Sequence, residues 1–120
     1  MTQFFHRTCI HQVGKIITNP AEGTGTLFPH TQPLLGVKLI WMTHVRNAPK
    51  ETLGLRQHLL TCDRSAILLE LTDPHLVVPW RDVRESFEPQ AVLQLEAARG
   101  ARPDYWWVSG SPQNVKLVEE

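Results

Sequence analysis

Two pairs of residues have the types and the spacing to bind a ligand. His6 and Thr8 are two residues apart, as are Trp41 and Thr43, and side chains two apart share one face of a strand. A histidine can hydrogen-bond a ribose hydroxyl, a large aromatic ring can stack on a flat heterocycle, and a threonine hydroxyl can anchor a ligand. If the two strands are neighbours, these side chains line one cleft. The competing interpretation is structural, because aromatic residues and threonines are common in any sheet.

The patterns of apolar and polar residues place these two pairs on two predicted strands. Along the chain, the predicted strands and helices follow one another in no regular order. The first strand is predicted at residues 2–9, and the clearest strand at residues 37–45 is apolar on both faces, which favours a central position. Pro89 and Gly100 bound the best helix, at residues 89–99. Further helical patterns are at residues 10–17 and 79–87, and further strands at residues 26–28, 66–71, 76–78, 105–109 and 114–118.

The length and composition predict one folded domain over residues 1–120. The chain has 120 residues, of which 42% are hydrophobic and 20% charged, and a chain of this kind can bury a core without disulfides or metals. Strands outnumber helices. We therefore expect a compact α+β domain with a bent or split, mostly antiparallel sheet and two or three short helices.

The charge and the apolar runs exclude several partners. The net charge is zero, so a general nucleic-acid binder is not indicated. Residues 1–60 carry a balance of +4 and residues 61–120 a balance of −4, so the first half either attracts an anion or complements the second half across the fold. No apolar run has the length of a membrane-spanning helix, so no membrane partner is expected.

The cysteines and histidines point to a cytoplasmic protein without a metal. Cys9 and Cys62 are the only cysteines, and with no visible secretion signal we expect two thiols rather than a disulfide. None of the six histidines is paired at metal-ligand spacing, so no metal site is expected. The glycine and serine motifs of phosphate loops, dinucleotide folds and serine hydrolases are absent from the sequence.

The order of these segments resembles the ADP-ribosyltransferase superfamily, near its small bacterial and phage-type members and the RNA 2′-phosphotransferases. Phe5-His6-Arg7-Thr8 resembles the aromatic-His-x-Thr element of the first strand, and residues 25–29 (GTLFP) resemble a Gly-x-Leu-x-Pro loop. Leu39-Ile40-Trp41-Met42-Thr43 is similar to the apolar strand that ends in an aromatic and a threonine, and residues 106–108 with 115–118 resemble the closing hairpin.

The resemblance implies that NAD is bound, as a substrate, by the first half of the chain. It assigns the ribose to His6 and the nicotinamide ring to Trp41, with Thr8 and Thr43 in support. Tryptophan stands where the family most often has tyrosine. The catalytic glutamate of the family has no clear counterpart, and Glu70 is the weak candidate for the cleavage of the nicotinamide–ribose bond.

Two further interpretations follow from residue chemistry. Arg7 and Arg46 are candidates for the diphosphate, since a guanidinium group suits phosphate oxygens. The alternative function is a non-catalytic interaction protein of a phage or mobile element that binds a protein target through an aromatic surface. Residues 105–107 (YWW) cannot all face one core, so at least one of these rings must face away from it. The location of His6 and Trp41, in a cleft or sealed in the core, distinguishes the two functions.

Overall fold

An antiparallel sheet is the frame of the molecule in the computed structural model, which describes residues 2–53 and 67–118. The described residues form nine strands, and every strand pair among them is antiparallel. In chain order the strands are β1 (Phe5–Thr8), β2 (Ile17–Asn19), β3 (Thr24–Leu27), β4 (His30–Gln32), β5 (Val37–Thr43), β6 (Ile67–Leu71), β7 (Val78–Pro79), β8 (Trp106–Ser109) and β9 (Gln113–Leu117). They lie side by side in the order β2-β3-β9-β6-β1-β5-β8-β7, and β4 pairs with β5 outside this path.

Three short α-helices accompany the sheet within the described residues. They are α1 (Ile10–Ile16), α2 (Trp80–Val83) and α3 (Pro89–Glu96). A proline precedes α2 and another begins α3, as suits a residue with a fixed φ and no N–H to leave unpaired. None of these helices is long and apolar enough to cross a membrane. The predicted α+β class, with a mostly antiparallel sheet and two or three short helices, is confirmed.

Each face of the sheet buries its own hydrophobic core. The first core is formed by aliphatic residues and Phe4 and is covered in part by Val13 and Ile16, which face it from the first helix and its end. The second core is built on Trp80, Val92, Trp106 and Val108, with Trp41 packed against them. We call Trp41, Trp80 and Trp106 the tryptophan layer. The alternation in β5 supplies both cores, because Ile40 and Met42 belong to the first and Trp41 to the second.

The aromatic residues of β8 face opposite sides of the sheet, as their adjacency requires. Trp106 is buried in the tryptophan layer. Trp107 is partly buried on the other side, where its ring lies edge-on to Phe4 with 4.8 Å between ring centroids. Its indole N–H donates to Nδ1 of the exposed His44 over 2.7 Å. Adjacent strand residues therefore divide between the two faces, which confirms the prediction that at least one of these rings turns away from a single core.

Gly25 is required by a close approach of two main chains. A Cβ atom at this position in β3 would lie 1.8 Å from the carbonyl oxygen of Ile16, at the end of α1. That distance is far inside van der Waals contact, so only glycine allows β3 to pair with β2 directly after the helix. The glycine of the GTLFP stretch thus has a structural reason for its presence.

The structure adds two strands that the sequence did not predict. β4 forms within residues 21–36, which the glycines and prolines predicted to be mostly loop, and it pairs with the start of β5. β2 follows α1 without a break and pairs with β3. The sequence predicts that Cys9 and Cys62 form no disulfide, and the structure describes one of the two residues. Cys9 is buried directly before α1, whereas Cys62 lies outside the described residues.

Candidate functional site

The two strands that the sequence singled out are neighbours, but they are joined at one point. β1 pairs with β6 along its whole length, from Phe5 to Thr8. Against β5 it forms a single pair, Phe5 with Thr43. Beyond that pair the two strands form no further ladder, although β5 continues to pair with β8 from Ile40 to Thr43. The predicted adjacency of the strands is confirmed, and the interval between them is a seam in the sheet.

His6 connects the two strands where the ladder stops. Its Nδ1 atom lies 2.7 Å from the carbonyl oxygen of Trp41. A carbonyl oxygen only accepts hydrogen bonds, so Nδ1 carries the proton, and in the neutral ring Nε2 keeps a lone pair. No hydrogen bond from Nε2 to another described residue accompanies the Nδ1 bond, and since no buried side-chain nitrogen or oxygen among the described residues lacks a partner, Nε2 is in reach of solvent. The imidazole thus replaces a main-chain contact on one side and offers an acceptor on the other.

The surroundings of His6 favour its neutral form. Burial lowers the pKa of the imidazole most strongly, and the charge of His30 in β4 lowers it further. The hydrogen bond to the Trp41 carbonyl opposes these effects and raises the pKa, but the net direction is downward from the usual value of 6.5. His6 is therefore neutral at pH 7, and its Nε2 atom is an acceptor under those conditions.

A small cavity lies at this seam. Its volume is about 70 Å³, and its lining is mainly apolar. The residues that line it are Phe5, His6, Arg7, Trp41, Met42, Thr43, Leu53 and Trp106. At roughly 10–15 Å³ for a water molecule, the cavity has room for a few waters or for one flat ring. One neutral acceptor, one cation and one hydroxyl group are thus placed among aromatic and aliphatic walls.

The cavity unites four of the residues singled out in the sequence and leaves out three. His6, Arg7, Trp41 and Thr43 line it. The other three are Thr8, Arg46 and Glu70. Thr8 is buried and pairs with β6, and Arg46 places its guanidinium carbon 5.9 Å from the ring centroid of Phe5.

Glu70 is held by other side chains. Gln3 donates to one of its carboxylate oxygens over 3.1 Å. The ammonium group of Lys116 lies 3.9 Å from the other oxygen. Glu70 does not line the cavity, so the weak candidate for a catalytic carboxylate is an ion-pair partner of Lys116 across the β6–β9 strand pair.

The predicted sharing of one face by the two residue pairs is wrong. Directly opposed residues of an antiparallel pair point to the same side, and Phe5 is opposed to Thr43. Phe5 and Arg7 therefore share the face of Trp41 and Thr43, whereas His6 is opposed to Leu69 of the first core. His6 reaches the cavity because the strands separate, so that its ring enters the seam itself.

One hydroxyl group and one indole group of the site are already engaged in hydrogen bonds with the main chain. The Thr43 hydroxyl accepts from the main-chain N–H of Val45 over 3.1 Å. The indole N–H of Trp106 donates to the carbonyl of Thr52 over 2.8 Å. Trp106, which no sequence pattern assigned to the site, enters it because β8 places it opposite Thr43. The YWW pattern indicates that Trp106 and Trp107 point to opposite faces of the strand. It does not indicate which residue of the neighbouring strand lies opposite Trp106, because that depends on the tertiary fold.

The described residues contain no group of three or more metal-ligating side chains. Comparison of the chain with family models, with curated proteins and with solved structures finds no match.

Proposed function

We propose that this chain is an NAD-binding domain of the ADP-ribosyltransferase type and that the cavity at the seam takes the nicotinamide end of the dinucleotide. One observation carries the proposal. Four of the six side chains to which the sequence assigned NAD contacts, His6, Arg7, Trp41 and Thr43, line a single cavity. They come from two strands that are 35 residues apart, as the His6–Trp41 hydrogen bond illustrates.

The chemistry of the lining suits a ribose with a flat ring. Nε2 of neutral His6 can accept a hydrogen bond from a ribose hydroxyl, since Nδ1 is engaged by the Trp41 carbonyl. The walls formed by Trp41 and Trp106 offer apolar surface to an aromatic heterocycle. Arg7 lines the same cavity, and its positive charge favours the nearby diphosphate.

The size of the cavity limits the part of the ligand that enters it. Pockets that enclose a drug-sized ligand have volumes of roughly 300–1,000 Å³, whereas this cavity has about 70 Å³. The proposal therefore places one ring inside, with the diphosphate and the adenosine half outside. We include in the proposal a cytoplasmic location, on the basis of the two cysteines, because NAD is available to a protein in that compartment.

Cleavage of the nicotinamide–ribose bond is the second part of the proposal. In such a reaction a carboxylate holds a ribose hydroxyl while positive charge develops on the ribose. No carboxylate among the described residues lines the cavity, and Glu70 is engaged by Gln3 and Lys116. Binding is the primary activity proposed, and ADP-ribose transfer stays a prediction.

A second candidate function is supported by a different region. The segment from Phe28, directly after β3, to Val37, the first residue of β5, exposes three large apolar side chains, at 59% for Phe28, 43% for Leu34 and 37% for Val37. Exposed apolar side chains that lie close together in a fold are typical of interaction surfaces. This observation favours the non-catalytic interaction protein, with residues 28–37 rather than the YWW run as its contact surface.

Calorimetry with NAD tests the proposal, and His6→Ala is the informative variant. We expect wild type to bind NAD and His6→Ala to bind it three- to tenfold more weakly, since one lost hydrogen bond costs about 0.5–1.5 kcal/mol. His75→Ala, which removes an exposed histidine ring that does not line the cavity, is the matched control and should bind as wild type does. Trp41→Ala is a poorer test because the ring also packs in the tryptophan layer.

The same titration separates the two candidate functions. If millimolar NAD gives neither heat nor a thermal shift with wild type, the nucleotide proposal fails and the interaction protein takes its place. If NAD binds wild type and His6→Ala equally well, NAD binds at another site and the assignment of this cavity is wrong.

A further inference from the structure

We propose that Trp106 is a positioning residue for the ligand cavity: its indole N–H holds the carbonyl group of Thr52, and this bond keeps Leu53 in place as a wall of the cavity. The inference rests on the proposed binding of NAD and deepens it, because it names what shapes the pocket for the ring. Trp106 thus has a second task beside its packing in the tryptophan layer.

Leu53 differs from the other residues that line the cavity. Seven of the eight lining residues belong to strands: three to β1, three to β5 and Trp106 to β8. The sheet fixes these walls, because Trp106 lies opposite Thr43 and Thr43 opposite Phe5 across three neighbouring strands. Leu53 is the eighth residue and ends the 3₁₀ helix Lys50–Leu53. Its position therefore depends on what holds that helix against the sheet.

One carbonyl oxygen joins this 3₁₀ helix to β8 and the residues before it. The Thr52 carbonyl accepts from the indole N–H of Trp106 over 2.8 Å and from the main-chain N–H of Arg102 over 2.9 Å. The N–H and the hydroxyl of Thr52 donate to Pro49, directly before the helix. The carbonyl of Thr52 shares one rigid peptide plane with the N and Cα atoms of Leu53, so a fixed carbonyl also fixes the start of Leu53.

The two donors stand on a rigid part of the fold. Arg102 directly precedes the 3₁₀ helix Pro103–Tyr105, and Trp106 directly follows it. The N–H of Tyr105 donates to the carbonyl of Arg102 over 2.8 Å, which closes this turn. The Trp106 ring is buried and lies edge-on to Trp41 with 5.7 Å between ring centroids. The packing of the tryptophan layer is thereby passed on to the wall that Leu53 forms.

The indole N–H is the group that phenylalanine lacks. An indole nitrogen only donates, and a carbonyl oxygen has two lone pairs, so both bonds to Thr52 can exist at once. Without the indole N–H, the Arg102 N–H is left to hold the carbonyl, and Leu53 is less restrained. A ligand must then order this wall when it binds, and such ordering weakens affinity.

Calorimetry with NAD on Trp106→Phe and Trp80→Phe tests the inference. Trp80 is the matched control, because it also loses an indole N–H bond of 2.8 Å, to Glu96, and does not line the cavity. Both variants should have a lower Tm. We expect Trp106→Phe to bind NAD about three- to tenfold more weakly than wild type, and Trp80→Phe less than about twofold more weakly. Equal losses of affinity would overturn the inference, since the effect would then follow stability.

A double-mutant cycle with Leu53→Ala separates positioning from direct contact, because the ring of Trp106 itself lines the cavity. If Trp106 acts through Leu53, Trp106→Phe has little left to change once the leucine side chain is gone. We expect the double variant to bind NAD within about twofold of Leu53→Ala alone. If Trp106→Phe weakens binding by the same factor in both backgrounds, Trp106 acts as a wall only and the positioning role is wrong.

Hydrogen exchange followed by NMR tests the wall without a ligand. The amide of Arg102 donates to Thr52, and the amide of Leu71 donates to Phe4 over 2.9 Å at the first core. We expect Trp106→Phe to speed exchange of the Arg102 amide at least about fivefold more than that of the Leu71 amide. An equal change at both amides would overturn the inference. If the exchange changes as expected but wild type does not bind NAD, the proposed function fails and the wall assignment holds.

Wild-type protein alone provides the test if Trp106→Phe does not fold. The indole N–H of Trp106 is bonded inside the fold to Thr52, whereas that of Trp107 is bonded to the exposed His44. We expect the Trp106 indole proton to exchange at least about tenfold more slowly than the Trp107 indole proton. Equal rates would mean that the bond to Thr52 does not persist, and Trp106 could not then position the wall.

Discussion

The seam and the tryptophan layer both include residues of β5, but they differ in how many hydrogen bonds hold their polar groups. In the layer, the fully buried Trp80 donates its indole N–H to Glu96 over 2.8 Å. Arg84 binds both oxygens of the same carboxylate at 2.8 Å. At the seam, one histidine bond and one ladder pair span a cavity. The Glu96 carboxylate thus accepts three hydrogen bonds at the layer, whereas a single histidine hydrogen bond crosses the open part of the seam.

This difference assigns the two regions different tasks. Regions with few buried contacts and few hydrogen bonds open at low cost, and ligand sites are drawn from them. Closely packed aromatic rings do the reverse: in the layer, Trp41 lies 5.1 Å from Trp80 and 5.7 Å from Trp106, measured between ring centroids. We therefore expect changes in the layer to reduce the free energy of unfolding, and changes at the seam to act more on binding.

The largest expected effect is that of Trp80→Ala. Removal of a buried tryptophan leaves a cavity, and such substitutions cost about 3–5 kcal/mol. The variant also removes the indole N–H that donates to Glu96, which keeps its hydrogen bonds from Arg84. The measurement is denaturant unfolding followed by circular dichroism, since the tryptophan fluorescence itself changes.

Trp107→Ala is the matched control for that change. Trp107 is only partly buried, and its indole bonds the exposed His44, so we expect a smaller loss of stability. If Trp107→Ala costs as much as Trp80→Ala, stability is not concentrated in the tryptophan layer and the comparison of the two regions does not hold.

The second effect in size is that of Glu96→Gln. Hydrogen bonds to charged groups contribute about 1.5–3 kcal/mol, and the 39% exposure of the Arg84 side chain screens part of this. We expect a loss of about 1–2 kcal/mol, since a glutamine can still accept from Trp80. Glu88→Gln, at an exposed glutamate near the same helix, is the control and should change stability little.

The acid limb of the stability curve sharpens this prediction. Burial opposes the ionisation of Glu96 most strongly, but the hydrogen bonds from Arg84 and Trp80 and the charge of Arg84 hold its pKa below the usual range. Its contribution is therefore present above about pH 4.3 and is lost as the pH falls through the lower pKa of the fold. Below that pH, wild type and Glu96→Gln should converge; curves that stay parallel would contradict the ion pair.

The sequence predicted the elements whose signals are local. The helix that begins at Pro89 and the apolar strand β5 carry their periodicity within the segment, and both are present. β4 was missed because His30–Gln32 has no strand pattern and becomes a strand only through its partners Val37–Leu39. The Trp80–Glu96 contact spans 16 residues, and no local pattern indicates such a bond.

The sequence predicted which residues line the cavity better than it predicted on which side of the sheet they lie. The resemblance named His6 and Trp41, and both line one cavity. The shared site that the resemblance requires also placed them on one side of the sheet, which is wrong because the Phe5–Thr43 pair sets the register. Register depends on which residue of one strand meets which residue of the other, and a one-residue shift exchanges the faces. A single sequence holds too little information on that pairing.

Thr43→Val gives the smallest expected effect and the finest test of the seam. Valine has nearly the shape of threonine, so the walls of the cavity stay in place, while the hydroxyl that accepts from the Val45 N–H over 3.1 Å is lost. One such bond contributes about 0.5–1.5 kcal/mol, so we expect a loss of about 1 kcal/mol in denaturant unfolding. Because the hydroxyl is committed to the main chain, NAD affinity measured by calorimetry should change less than twofold. A loss of affinity as large as that of His6→Ala would mean that Thr43 contacts the ligand directly. NAD would then be held by polar groups of both β1 and β5, and not by the histidine of β1 alone.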